Sequence, residues 1–174
     1  MLPPHIYLTG FMGSGKTHTG RRLASLLAYP FVDLDEWIEN DQGRTISEIF
    51  ATAGESAFRH EEARWLRNLT ELPLCVIATG GGAPCHHDNM AYMNQQGLTV
   101  FLDPPISVLV ERLERERAHR PLLQTGESLE ANIRRRLAER RACYETAHLH
   151  LRPQAREADV ARLIADKLPE VVGH

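Results

Sequence analysis

Lysine is almost missing from this chain of 174 residues: 18 of its 20 basic residues are arginine, and only Lys16 and Lys167 carry an ammonium group. Cysteine is equally sparse. Cys75, Cys85 and Cys143 are odd in number and far apart, which argues against a disulfide framework. No stretch approaches the ~18 consecutive apolar residues that a membrane span needs. The opening Met1-Leu2-Pro3-Pro4 runs straight into a strand pattern with no signal-like segment, so the expected address is the cytoplasm. A formal charge of −3 and a pI near 6.3 give no global pull towards nucleic acid or an acidic membrane surface. Any anion site must therefore be local.

One of the two lysines stands where a single lysine is obligatory. Gly10-Phe11-Met12-Gly13-Ser14-Gly15-Lys16-Thr17 fits the phosphate-loop pattern G-x-x-x-x-G-K-S/T. It follows the apolar run Ile6-Tyr7-Leu8-Thr9 and precedes a helical pattern over residues 20–28, the strand-loop-helix setting that the motif requires. The glycines allow backbone N–H groups to turn inward around phosphate oxygens, and the following helix adds its positive dipole end. Lys16 then meets the outer phosphates and the Thr17 hydroxyl holds Mg²⁺.

Strand and helix patterns alternate along the rest of the chain, predicting one α/β domain over residues 1–174 with a parallel sheet covered by helices on both faces. Short strands are expected at residues 31–33, 74–78, 98–102 and 148–151. Helices are expected at residues 36–41, from a cap at Thr45 or Ser47 onward, and over 55–69, 129–144 and 160–168, with Gly54 breaking the run. Residues 114–127 lose apolar periodicity and gather charge, which reads as a lid. No heptad or long exposed apolar stripe demands a partner, so a monomer is expected.

Several residues are candidates for chemistry. Asp33 and Asp35 close the second strand on the phosphate-loop side; one suits a Mg²⁺ site, the other an acceptor hydroxyl, and either could instead cap the following helix. Gly80, Gly81 and Gly82 end the third strand, either as a tight turn or as backbone that a substrate lies against. Arg140 falls in the inward stripe of its helix, where the anion it needs is a structural carboxylate or a substrate carboxylate. Arg59 has the same two readings, with Glu62 one helical turn away. Cys85-His86-His87 has no second ligand pair at metal spacing and is placed in a surface loop and helix start. Arg120, restrained by Pro121, is the lid arginine placed to meet a transferred phosphoryl group.

Taken together, the phosphate loop, Phe31-Val32-Asp33-Leu34-Asp35, Phe58-Arg59, Ala78-Thr79-Gly80-Gly81-Gly82, Arg120-Pro121-Leu122-Leu123 and Arg140 four before Tyr144 resemble shikimate kinase. The resemblance runs from residue 5 to about 168 and implies a nucleoside-monophosphate-kinase-type P-loop fold: three layers, a central five-stranded parallel sheet, a lid and a substrate-binding helical region. It implies phosphorylation of the 3-hydroxyl of shikimate by ATP with Mg²⁺, on the route to chorismate and the aromatic amino acids. By position, Asp35 is the base or orienter, with Lys16 and Arg120 beside it in the chemistry. Arg59, Arg140 and the glycine backbone at 80–82 hold shikimate; Thr17 and Asp33 hold the metal. Gly13, Ser14, Gly15, Lys16, Thr17, His18, Arg112, Arg120 and Gln154 bind the nucleotide, with Arg112 and Gln154 chosen for the adenine end. His18 departs from the small or β-branched residue usual after the phosphate-loop threonine, and its side chain is expected to point away from the phosphates. Two alternatives are a related kinase of a small hydroxy acid such as gluconate, and a nucleotide-binding regulatory module without turnover. The paired inward arginines argue against the first, and the presence of Lys16, Asp35 and Arg120 against the second.

Overall fold

The computed structural model describes residues 5–116, 126–153 and 159–172. Its elements alternate: β1 (His5–Thr9), α1 (Lys16–Leu27), β2 (Phe31–Asp33), α2 (Leu34–Gln42), α3 (Ile46–Asn68), β3 (Cys75–Ala78), α4 (Asn89–Gln96), β4 (Leu98–Leu102), α5 (Ile106–Glu116), α6 (Leu129–Tyr144), β5 (Leu149–Leu151) and α7 (Val160–Val172). The five strands form one sheet in the order β2-β3-β1-β4-β5, and every pairing is parallel. β1 is thus central. Its carboxyl end opens between β3 and β4, the kind of position where open α/β sheets bind ligands.

Alternation along the strands divides the core. Ile6, Leu8, Val76 and Val100 pack with α1 and α7 on one face, whereas Tyr7, Ile77 and Val32 pack with α2, α3 and α4 on the other. Phe101 joins α5 and α6 through Leu109, Leu113, Ile133 and Leu137. Strands buried on both faces need continuous apolar runs, which is what Ile6-Tyr7-Leu8 and Cys75-Val76-Ile77-Ala78 supply. The expected three-layer fold is the observed one.

One boundary falls differently from the expectation. α2 begins at Leu34 rather than Glu36, because Asp33 caps it: the Asp33 carboxylate accepts from the N–H groups of Asp35 and Glu36 at 3.0 and 3.2 Å. Gly54 breaks the helical run as expected: at φ 85° and ψ 168° it is non-helical and kinks α3 between two helical stretches. Thr45, not Ser47, starts α3 through a capping box in which Thr45 Oγ1 accepts from the Glu48 N–H and the Glu48 carboxylate accepts from the Thr45 N–H. No helix among the described residues is long and apolar enough to cross a membrane. Most of the expected lid, with Arg120, lies outside the described residues, as does Gln154.

Candidate active site

The phosphate loop leaves β1 and turns directly into α1. Gly13 and Gly15 have φ of 79° and 93°, left-handed conformations that a side chain would strain. Gly15 is the N-cap of α1, no side chain caps that end, and the first turn carries no acidic residue. Its N–H groups and positive dipole end are left for an exogenous anion. Lys16 is buried, with Nζ donating to the Gly10 and Phe11 carbonyls at 2.8 and 2.9 Å, so the ammonium lies across the loop it serves. Ser14 is buried beneath the loop, and His18 is exposed at the cleft wall. Arg112 comes from α5, lines the cleft and donates to the Gly13 carbonyl at 2.9 Å.

Asp33 has a second task besides capping. Thr17 Oγ1 donates to its other carboxylate oxygen at 2.7 Å, which brings the two expected metal residues together at the cleft. These are hard oxygen donors of the type Mg²⁺ takes. Asp35 is half-buried and projects from the first turn of α2. Burial, reinforced by the Asp33 charge, pushes its carboxyl up to about 6, against the opposing pull of Lys16 and Arg59.

The glycine segment is packed around by the candidate side chains. None of Gly80, Gly81 and Gly82 has a positive φ, so a special turn conformation is not why glycine is present. The reason is space. A Cβ on Gly82 would stand 2.3 Å from Arg59 Nη2, and one on Gly81 would stand 3.3 Å from Arg140 Nη1. At Gly80 the neighbours would be Asp35 Oδ1 at 2.9 Å and Glu62 Oε2 at 3.1 Å. Tyr144, at the end of α6, donates its hydroxyl to the Gly81 carbonyl and ties this segment to the helix that carries Arg140.

The two inward arginines differ in how far their hydrogen bonds are satisfied. Arg59 is 5% exposed and donates through Nη1 to Glu62 Oε1 at 2.9 Å, with a longer contact to the exposed Glu55. Glu62 is fully buried, and its second oxygen has no partner. Burial raises its carboxyl to about 7 despite Arg59. Arg140 lies over the Phe11 ring, 5.6 Å from the centroid, with Nη1 buried and no hydrogen-bond partner for it. A buried guanidinium nitrogen without an acceptor is expensive unless a ligand provides one.

Two hollows meet here. A cleft of about 560 Å³ is lined by the phosphate loop, Thr17, His18, Asp33 and Arg112; a smaller one of about 280 Å³ is lined by Arg59, Glu62, Arg140, Ile46, Phe50 and Phe58. Met12, Asp35, Glu39, Gly80 and Gly81 border both. Asp35 therefore stands at the passage from an anion-binding loop to a pocket ending in two guanidinium groups. Glu39 and Met12 were not singled out from the sequence, although Glu39 lies four residues after Asp35 on the same helix face, a signal that was available. Arg136, one turn before Arg140, was also missed; it is half-buried, and Nε donates to Asn132 Oδ1 at 3.1 Å.

The shikimate kinase family model matches residues 12–169. A shikimate kinase from Parabacteroides distasonis is 42% identical over 146 residues, covering 83% of this chain and 84% of that protein. The Bacteroides fragilis shikimate kinase is 50% identical over 119 residues, which span 68% of this chain and 66% of that protein, just under two thirds of its length. Among solved structures, a shikimate kinase from Acinetobacter baumannii in complex with shikimate superposes with a TM-score of 0.84 at 40% identity, covering 98% of this chain and 93% of that one. A gluconokinase from Sinorhizobium meliloti, at 18% identity and a TM-score of 0.61, shares the fold.

Proposed function

This chain belongs to the shikimate kinase family, and on that premise we propose that it transfers the γ-phosphoryl group of ATP to the 3-hydroxyl of shikimate, giving shikimate 3-phosphate and ADP for aromatic amino acid biosynthesis. The observation that carries the reading is the position of Asp35, which with Glu39 borders both hollows and stands against Gly80 at the foot of the glycine segment.

ATP phosphates lie on the N–H groups of residues 13–18, with Lys16 leaving its loop carbonyls for the outer phosphate oxygens. Arg112, already against the Gly13 carbonyl, adds positive charge to the same end. Thr17 and Asp33 would hold Mg²⁺, which would neutralise charge on the phosphate oxygens when bound. Shikimate enters the smaller pocket with its carboxylate between Arg59 and Arg140, the anion that the unpartnered Arg140 Nη1 lacks. Phe50 and Phe58 offer apolar faces to the ring, their own rings 5.0 Å apart. Backbone at Gly80–Gly82 can approach the ring closely. The hydroxyl then faces Asp35, which orients it and accepts its proton as the oxygen attacks phosphorus. Arg120, assigned by its Arg-Pro-Leu-Leu motif, neutralises charge on the transferred group.

Product identity tests this directly. Incubation with ATP, Mg²⁺ and shikimate should give one new phosphate ester whose phosphorus couples to the proton on carbon 3 in NMR. An ester at another hydroxyl, or none, would refute the assignment of Asp35 to that oxygen.

A further inference from the structure

Two cysteines far apart in sequence meet behind the acceptor pocket. Cys85 closes a 3₁₀ turn, Ala83–Cys85, directly after the glycine segment. Cys143 lies on α6, three residues after Arg140 and one before Tyr144. Both are free and partly exposed, and Cys85 lies in the loop that leads into α4, as expected for Cys85-His86-His87. Cys85 Sγ donates to the Arg140 carbonyl at 3.9 Å, which sets it against the turn of α6 that carries Cys143, and each thiol shifts the other's titration. Cys143, helped by the Arg140 and Arg59 charges, holds the Cys85 thiol below its ordinary range against the effect of burial. Cys75 is the contrast: buried at the start of β3, with its thiol pushed up to about 11 by burial alone.

We propose that Cys85 and Cys143 form a reversible disulfide that switches the grip of the acceptor pocket on its carboxylate. The oxidant is a hydroperoxide. The Cys85 thiolate attacks the peroxide, forming an S–O bond as the O–O bond breaks, and water leaves after protonation. The Cys143 sulfur then attacks the Cys85 sulfenic acid, forming the S–S bond, expelling a second water and losing its own proton. Two thiols are oxidised by two electrons and one hydrogen peroxide becomes two waters. A dithiol reverses the step by exchange.

An S–S bond is about 2.05 Å long, so cross-linking draws the turn and α6 together. The turn continues from Gly82, whose backbone leaves no room beside Arg59, and α6 carries Arg140 close to Gly81. Both guanidinium groups shift relative to the glycine backbone, whereas the phosphate loop carries neither cysteine. The kinetic part rests on the proposed function; the cross-link does not.

The test uses the full chain, reduced and then exposed to a small excess of hydrogen peroxide. Intact mass should fall by two hydrogens, free thiols should drop from three to one, and peptide mapping should join Cys85 to Cys143. The KM for shikimate should rise about tenfold, the scale of one weakened charge-assisted hydrogen bond, with the KM for ATP unchanged and both restored by dithiothreitol. Cys143→Ser should keep the reduced kinetics and lose the response. Absence of this cross-link, or a cross-link that leaves the shikimate KM unmoved, overturns the proposal. Reduced protein without shikimate-dependent turnover would instead refute the proposed function, with mass and mapping still deciding whether the disulfide forms.

Discussion

Asp35 shows how burial prepares one carboxylate for proton transfer. Its raised pKa, about 6, keeps it ionised at neutral pH yet basic enough to accept a proton. In the free enzyme kcat/KM for shikimate should therefore rise with pH through about 6 and level off above it, and this limb should vanish from the residual activity of Asp35→Asn. That variant should lose about 10²-fold or more in kcat while binding ATP normally by calorimetry. The same shift has a stability side. A carboxyl whose pKa is raised on folding holds a proton that the unfolded chain releases, so stability falls as pH climbs from the unfolded value near 4 towards the folded one. Asp35→Asn should accordingly be more stable than the parent at pH 7, by about 1–2 kcal/mol, with the gain fading by pH 4 in thermal melts. Helical phase was enough to read Arg140 as inward and Glu62 as the partner of Arg59. It could not show that Glu62 and Asp35 converge on Gly80, because they arrive from different helices.

At the scale of the element, the glycine segment and α3 are one device. Gly82 gives up a side chain so that the Arg59 guanidinium can lie against its backbone. Gly82→Ala should leave the fold nearly as stable, since the obstructed atoms end a flexible side chain, while the shikimate KM rises about tenfold and the ATP KM stays put. Equal losses for both substrates would contradict this placement. At its other end α3 depends on the Thr45 capping box, and Thr45→Ala should cost about 1 kcal/mol in denaturant unfolding. The box and the Gly54 interruption were visible locally, in Thr45-Ile46-Ser47-Glu48 and in one glycine. Why three glycines follow β3 was not, because the side chains that fill their space come from α2, α3 and α6.

For the whole molecule, apolar runs and connection lengths made a parallel, doubly covered sheet legible. The order β2-β3-β1-β4-β5 is a property of pairing between distant segments, and no local pattern encodes it. That order places the phosphate loop, Asp33, Asp35 and the glycine segment at the carboxyl ends of adjacent strands, so binding nucleotide and binding acceptor become parts of one cleft. The Cys85–Cys143 meeting is hidden for the same reason: cysteine spacing is informative when ligands are near in sequence, and these two are brought together by α6 folding back on the turn after β3. The most direct measurement is ADP release by the purified chain with ATP and Mg²⁺, comparing shikimate, gluconate and no acceptor. Release that depends on shikimate and stops when Mg²⁺ is withheld is the predicted result; release with gluconate alone, or tight ATP binding with no acceptor-dependent release, would contradict it.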